Sequence, residues 1–105
     1  ELDPEAAAKH WMKDPEATAN RLEAVLDALQ AGPWDEGSLE ERLRARAEEL
    51  GVGAGKVIHP LRLAVTGRGR SPGIFDVLVV LGEQRVRARV ERALARLRAP
   101  DVSLS

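Results

Sequence analysis

Apolar residues along this chain recur at helical spacing, and short polar breaks separate the runs. Asp3-Pro4 has the form of an N-cap followed by the first helical residue, where proline's missing N–H costs nothing. EAAAKHWM follows as a short helix. Asp14-Pro15 repeats the signal, and Leu22, Val25, Leu26 and Leu29 then fall at i, i+3, i+4 and i+7, a single apolar stripe that Gly32-Pro33 ends. Ser38 through Glu41 has the form of a capping box opening a third helix, with Leu39, Leu43, Ala47 and Leu50 on one face and Gly51 as its stop. GVGAG, residues 51–55, reads as a helix C-cap and connector. No β-branched strand precedes it, and it has neither GxGxxG spacing nor GK[ST], so it is not a nucleotide loop.

Pro60 predicts a break: a turn of helix up to Ile58, then a fresh or kinked start, with Leu61, Ala64 and Val65 buried and Arg62 pointing elsewhere. Gly67 terminates that segment. Ser71-Pro72 reads as a new N-cap and first helical position, carrying GIFDVLVVL to Gly82. This run is apolar almost all round, which predicts the central buried helix. Its length alone would also suit a buried strand, but the Ser-Pro and Gly punctuation favours a helix. EQRVRARVERALARLR closes the pattern with Val86, Val90, Ala93, Leu94 and Leu97 as its stripe and arginines over the rest. Ala99-Pro100 ends it, leaving residues 99–105 as a loose tail. The expected fold is all-α, a compact array of five to six short helices.

Composition agrees with that reading. Hydrophobic residues are 44% of 105, many of them alanine, and charged residues are 31%. With no cysteine, disulfide and thiolate chemistry are excluded. His10 and His59 lie far apart in sequence, so no zinc site is expected. No apolar run approaches the roughly 18 residues of a membrane span, and the N-terminus does not resemble a signal peptide. A cytoplasmic protein without a membrane partner is expected. Charge changes the picture most. Residues 1–55 carry six basic and thirteen acidic side chains, a net −7, whereas residues 56–98 carry ten basic and three acidic, a net +7. Nine of those ten are arginines. Arginine grips phosphate through a planar fork and stacks on bases, which suits single-stranded RNA.

The candidate chemistry sits in TGRGRSPGIF, residues 66–75. Arg68 and Arg70 alternate with glycines immediately before the expected helix start, where N–H groups and the helix dipole favour an anion. Nothing in the chain forms a catalytic set; carboxylates are spaced as solvated helix charges, and His59 beside Pro60 reads as a packed or half-exposed histidine. A helical protein-interaction module is a second reading of the same charge split. A DNA-reading helix pair over 60–66 and 72–81 is a third, weakened because the second helix offers only apolar side chains to base edges.

The run from Trp34 to Leu97 also resembles the C-terminal anticodon-binding region of bacterial glutamyl-tRNA synthetases, which are class I enzymes. The resemblance rests on Trp34, Gly55-Lys56, Pro60-Leu61-Arg62, Ala64, Thr66-Gly67, Ser71-Pro72, Leu81-Gly82 and Arg89. Residues 1–33 look like helices adjoining the upstream anticodon-binding subdomain, residues 34–98 like the C-terminal subdomain, and residues 99–105 match nothing in the family. The resemblance implies an anticodon-binding module whose partners are the glutamate tRNA and the parent's catalytic domain. It also implies a monomer, with ATP and magnesium serving the parent and no cofactor in this stretch. The family's two ATP-site signatures are absent, so this stretch cannot itself activate glutamate. By position, Arg62, Ser71, Pro72 and Ile74 would meet anticodon bases. Arg68, Arg70 and Lys56 are assigned to phosphates. Part of the family's anticodon discrimination comes from the upstream subdomain, which would lie before residue 1.

Overall fold

A computed structural model describes residues 2–99. Six helices follow one another: α1 Pro4–His10, α2 Pro15–Leu29, α3 Glu36–Glu49, α4 Gly55–Thr66, α5 Ile74–Leu81 and α6 Glu83–Arg98. No strand occurs among the described residues, and no described helix is long and apolar enough to cross a membrane. The all-α expectation holds. Residues 100–105 of the expected tail lie outside the described residues, while Ala99 is the C-cap of α6.

The two Asp-Pro signals act as read. Asp3 accepts from the Glu5 and Ala6 N–H groups, Asp14 accepts from that of Ala17, and proline occupies the first turn of each helix. The α2 stripe is buried, and α2 is the hub, packing most extensively on α6 and α3 and also on α4. One apolar cluster runs from Ala6 to Ala93 and draws on both sides of residue 33. Its fully buried members include Leu22, Leu29, Leu39, Leu43, Leu61, Leu63 and Leu78, each stabilising by about 1.5–3 kcal/mol. The end of α2 carries no glycine cap. Instead the Arg42 guanidinium donates to the carbonyls of Ala28 at 2.9 Å, Leu29 at 2.8 Å and Pro33 at 2.6 Å, adding to the Ala31 N–H bond that Ala28 already accepts and tying the helix end to the turn after it.

Five expectations change. Helix α3 begins at Glu36, not at Ser38, because Asp35 accepts from the Ser38 N–H at 2.9 Å and so caps the helix one turn earlier. Leu50 is the C-cap and is exposed rather than on the buried face. Helix α4 runs unbroken through Pro60. That proline sits sixth in the helix and forfeits only the one bond to the Lys56 carbonyl, while its own carbonyl accepts from the buried Trp11 Nε1–H at 3.3 Å. Ser71 is not an N-cap: α5 begins at Ile74 after Gly73, with no side-chain cap. Helix α5 is not the central helix either. Only Ile74 and Leu78 are buried, and Val79 and Val80 are 38% and 77% exposed, because α3, α4 and α6 cover one side of it only. Trp34 holds it in place through an Nε1–H bond of 2.9 Å to the Leu78 carbonyl.

This burial pattern makes a contrast measurable by urea denaturation. Leu61→Ala should lose about 2–5 kcal/mol, whereas Val80→Ala should stay within about 0.5 kcal/mol. Equal losses would return α5 to the centre of the core.

Candidate functional site

Because α4 is continuous, His59, Arg62 and Thr66 stand at i, i+3 and i+7 on one face of it. The helix stops at Gly67, whose φ of 76° is left-handed, a conformation glycine adopts without a Cβ clash. The Gly67 carbonyl accepts from the Asp3 N–H at 2.7 Å, tying this corner to the start of α1. Thr66 Oγ1 lies 2.7 Å from the Arg62 carbonyl and accepts from the Arg68 N–H at 3.0 Å, so the first loop residues are fixed to the helix end. Gly69 then passes α1 so closely that a Cβ there would come 3.0 Å from that of Ala6. That glycine permits the close approach of the loop to α1.

Ser71 serves Arg62 instead of a helix. Its Oγ donates to the Pro72 carbonyl at 2.8 Å and accepts from Arg62 Nε at 3.1 Å. Arg62 Nη1 lies 3.3 Å from His59 Nδ1. The His59 ring stacks on His10, with centroids 4.8 Å apart and an interplanar angle of 17°. Two histidines distant in sequence are thus face to face, a pairing without any signal in the spacing. Among the described residues no group of three potential ligands could hold a metal.

An open groove of about 940 Å³ gathers Arg62, Arg68, Arg70 and Ser71 with Lys9, His10 and His59. A second, of about 670 Å³, shares Lys9, His10 and His59 and continues past Lys13, Arg21 and Lys56. Of the residues predicted from sequence, Arg62, Ser71, Arg68 and Arg70 therefore converge on one groove, and Lys56 stands in its extension. Pro72 is exposed beside them, and Ile74 is buried at 4% exposure in the core. Sequence reasoning missed Lys9, Lys13 and Arg21. Their only signal was the i, i+4 spacing of Lys9 and Lys13, hidden in the acidic half.

Among the described residues none of these seven cations is within 4.0 Å of a carboxylate, whereas Arg44, Arg46, Arg87 and Arg98 all are. Asp3, Glu5 and Asp14 also line the grooves, but Asp3 and Asp14 are occupied as N-caps. Partial burial and then neighbouring positive charge, from Arg62 and Lys9 among others, hold both histidines below the ordinary imidazole value, so they resist becoming cations. The result is a preformed cationic trough with exposed arginines on its rim, suited to a phosphate backbone with accessible bases.

The family model for an anticodon binding domain matches residues 1–94. A glutamate–tRNA ligase of Desulforudis audaxviator is 41% identical over 98 residues, covering 90% of this chain and 19% of the relative. One from Brucella melitensis is 44% identical over 86 residues, covering 82% and 18%. The crystal structure of a glutamate tRNA ligase from Elizabethkingia meningosepticum, in complex with its amino acid, superposes with a TM-score of 0.84 at 27% identity, over 92% of this chain and 19% of that one. The chain thus spans about a fifth of the length of these relatives.

The lowered histidine values carry a signed prediction for stability. Each group titrates below its unfolded value, near 6.5. Its contribution is therefore present above about pH 6.5 and is lost as pH falls through the folded value. The thermal midpoint should drop on acidification from about pH 7 to about pH 5, and drop less in His10→Gln/His59→Gln. An unchanged acid limb in that double variant would assign the loss to other groups.

Proposed function

The chain belongs to the anticodon-binding domain family, and from that premise we propose that it holds the anticodon arm of a glutamate tRNA for ATP-dependent glutamylation by a catalytic region outside residues 1–105. The observation that carries this is the groove around Arg62, whose cations outnumber its carboxylates and have none of them within 4.0 Å among the described residues. Arg68 and Arg70, exposed on the rim, take phosphates flanking the anticodon. Lys56 takes another in the extension, together with Lys9, Lys13 and Arg21. Arg62, fixed by Ser71 and His59, presents its remaining N–H groups to a base edge, and exposed Pro72 offers apolar surface to a base beside it. Ile74 contributes differently from its neighbours: buried beneath them, it anchors the start of α5. ATP and magnesium belong to the catalytic region. The chain works as a monomer in the cytoplasm.

A titration with the anticodon stem-loop of glutamate tRNA at two salt concentrations tests this. Affinity should fall steeply with salt, as phosphate-led binding does. Arg70→Ala should weaken all anticodons alike and reduce the salt slope by about 1, whereas Arg62→Ala should cost about tenfold in discrimination between anticodons. Equal affinity for any acidic polymer would instead favour a module that binds acidic proteins. Identical behaviour of the two variants would overturn the division between phosphate and base contacts.

A further inference from the structure

We infer that neutral His59 is a positioning residue for Arg62, its Nδ1 lone pair fixing the guanidinium that faces the groove, so that discrimination between anticodon bases is lost when this imidazole takes a proton. The inference rests on reading the groove as an anticodon site and adds to it the device that sets the arginine.

The argument begins with what each group can donate. A guanidinium carries only donors, so at 3.3 Å from Arg62 Nη1 the His59 Nδ1 atom must be the acceptor. In the neutral ring the proton then sits on Nε2. Arg62 Nε is engaged by Ser71 Oγ on its other side. Two contacts on a planar fork fix its rotation and leave Nη2 and the second Nη1 hydrogen for a base edge. The ring that provides the acceptor is itself held. One face stacks on His10, with ring centroids 4.8 Å apart.

Protonation at Nδ1 would remove the only lone pair Arg62 can use and place a cation beside a cation. The surroundings oppose it. Lys56 and Arg62 on α4 and Lys9 on α1 are cationic, and the stacked His10 resists charging for the same reasons. Lys13, before α2, and Arg21 on α2 add positive charge, as do Arg68 and Arg70 from the loop. Against these stand Asp3, Glu5 and Asp14, and both aspartates are N-caps. A bound RNA phosphate would favour the imidazolium. Acidification therefore has two opposite effects: the trough gains charge and total affinity rises, while Arg62 is released and selectivity falls.

Two RNA hairpins differing at one anticodon base, titrated against the intact chain at about pH 7.5 and about pH 5.5, separate these effects. For the wild type, the affinity ratio between hairpins should fall in step with protonation of His59, followed by NMR on the same samples, while both affinities hold or rise. His59→Asn, whose Oδ1 stands where Nδ1 stood, accepts and does not titrate, should keep the ratio at both pH values. His59→Ala should show the reduced ratio at both. A parallel loss in His59→Asn, or a full ratio in His59→Ala, would overturn the proposal. Nitrogen-15 NMR of the RNA-free chain supplies an independent arm. The neutral ring should carry its proton on Nε2, and a proton found on Nδ1 would overturn this inference while leaving the anticodon reading standing. Failure of every variant to bind either hairpin would overturn the anticodon reading and the selectivity claim with it.

Discussion

The continuity of α4 through Pro60 is the constraint on which the site depends. A break there would rotate everything after it, and His59, Arg62 and Thr66 would no longer share a face. Several features together make the unbroken helix affordable. Pro60 lies early enough to lose a single bond, the carbonyl left over belongs to exposed Lys56, and the buried Trp11 indole donates to the proline's own carbonyl. Trp11 also brings α1 against α4, and α1 supplies Lys9 and His10. The same contact that tolerates the proline therefore builds the second wall of the groove.

The arginine-rich composition does not by itself mark an RNA surface, and the structure sorts the arginines by what they touch. Arg42 and Arg89 donate to backbone carbonyls of Ala28 and Val65 near helix ends, and Arg46 donates to the Ala24 carbonyl while pairing with Asp27 and Glu49. Arg44, Arg87 and Arg98 pair with Glu40, Glu91 and Glu23, contacts that add little at such exposure. Arg62, Arg68 and Arg70 do neither. Cations placed together in a groove repel one another, and an arriving phosphate backbone relieves that repulsion.

Much of the fold was legible because its signals are local. The Asp-Pro starts, the glycine stop at residue 67 and the α2 and α6 stripes each follow from residues a few positions apart. What the residues did not show depends on partners distant in sequence. Ser71 before Pro72 has every local mark of an N-cap, yet its hydroxyl is claimed by Arg62 nine positions earlier. The apolar run of α5 looks like a core helix until its neighbours are known to cover only one side. The groove was half legible: the loop arginines announced themselves, but Lys9, Lys13 and Arg21 were obscured by an average over residues 1–55 that is strongly negative. A net charge is a sum over faces, and only the fold says which face each charge occupies.

That distinction bears on how the groove selects. A purely electrostatic trough would accept any polyanion, because screened charge carries no information about bases. Selectivity requires donors that are already aimed, since ordering a long side chain at the moment of binding costs about 0.5–1.5 kcal/mol. Arg62 meets that requirement through Ser71 and His59, while Arg68 and Arg70 extend from the loop without a described side-chain partner. One groove thus holds a rigid donor beside exposed, unpaired ones. Under the proposed reading, the exposed pair would follow a phosphate backbone whatever its sequence, and the fixed fork would refuse a base whose edge does not fit.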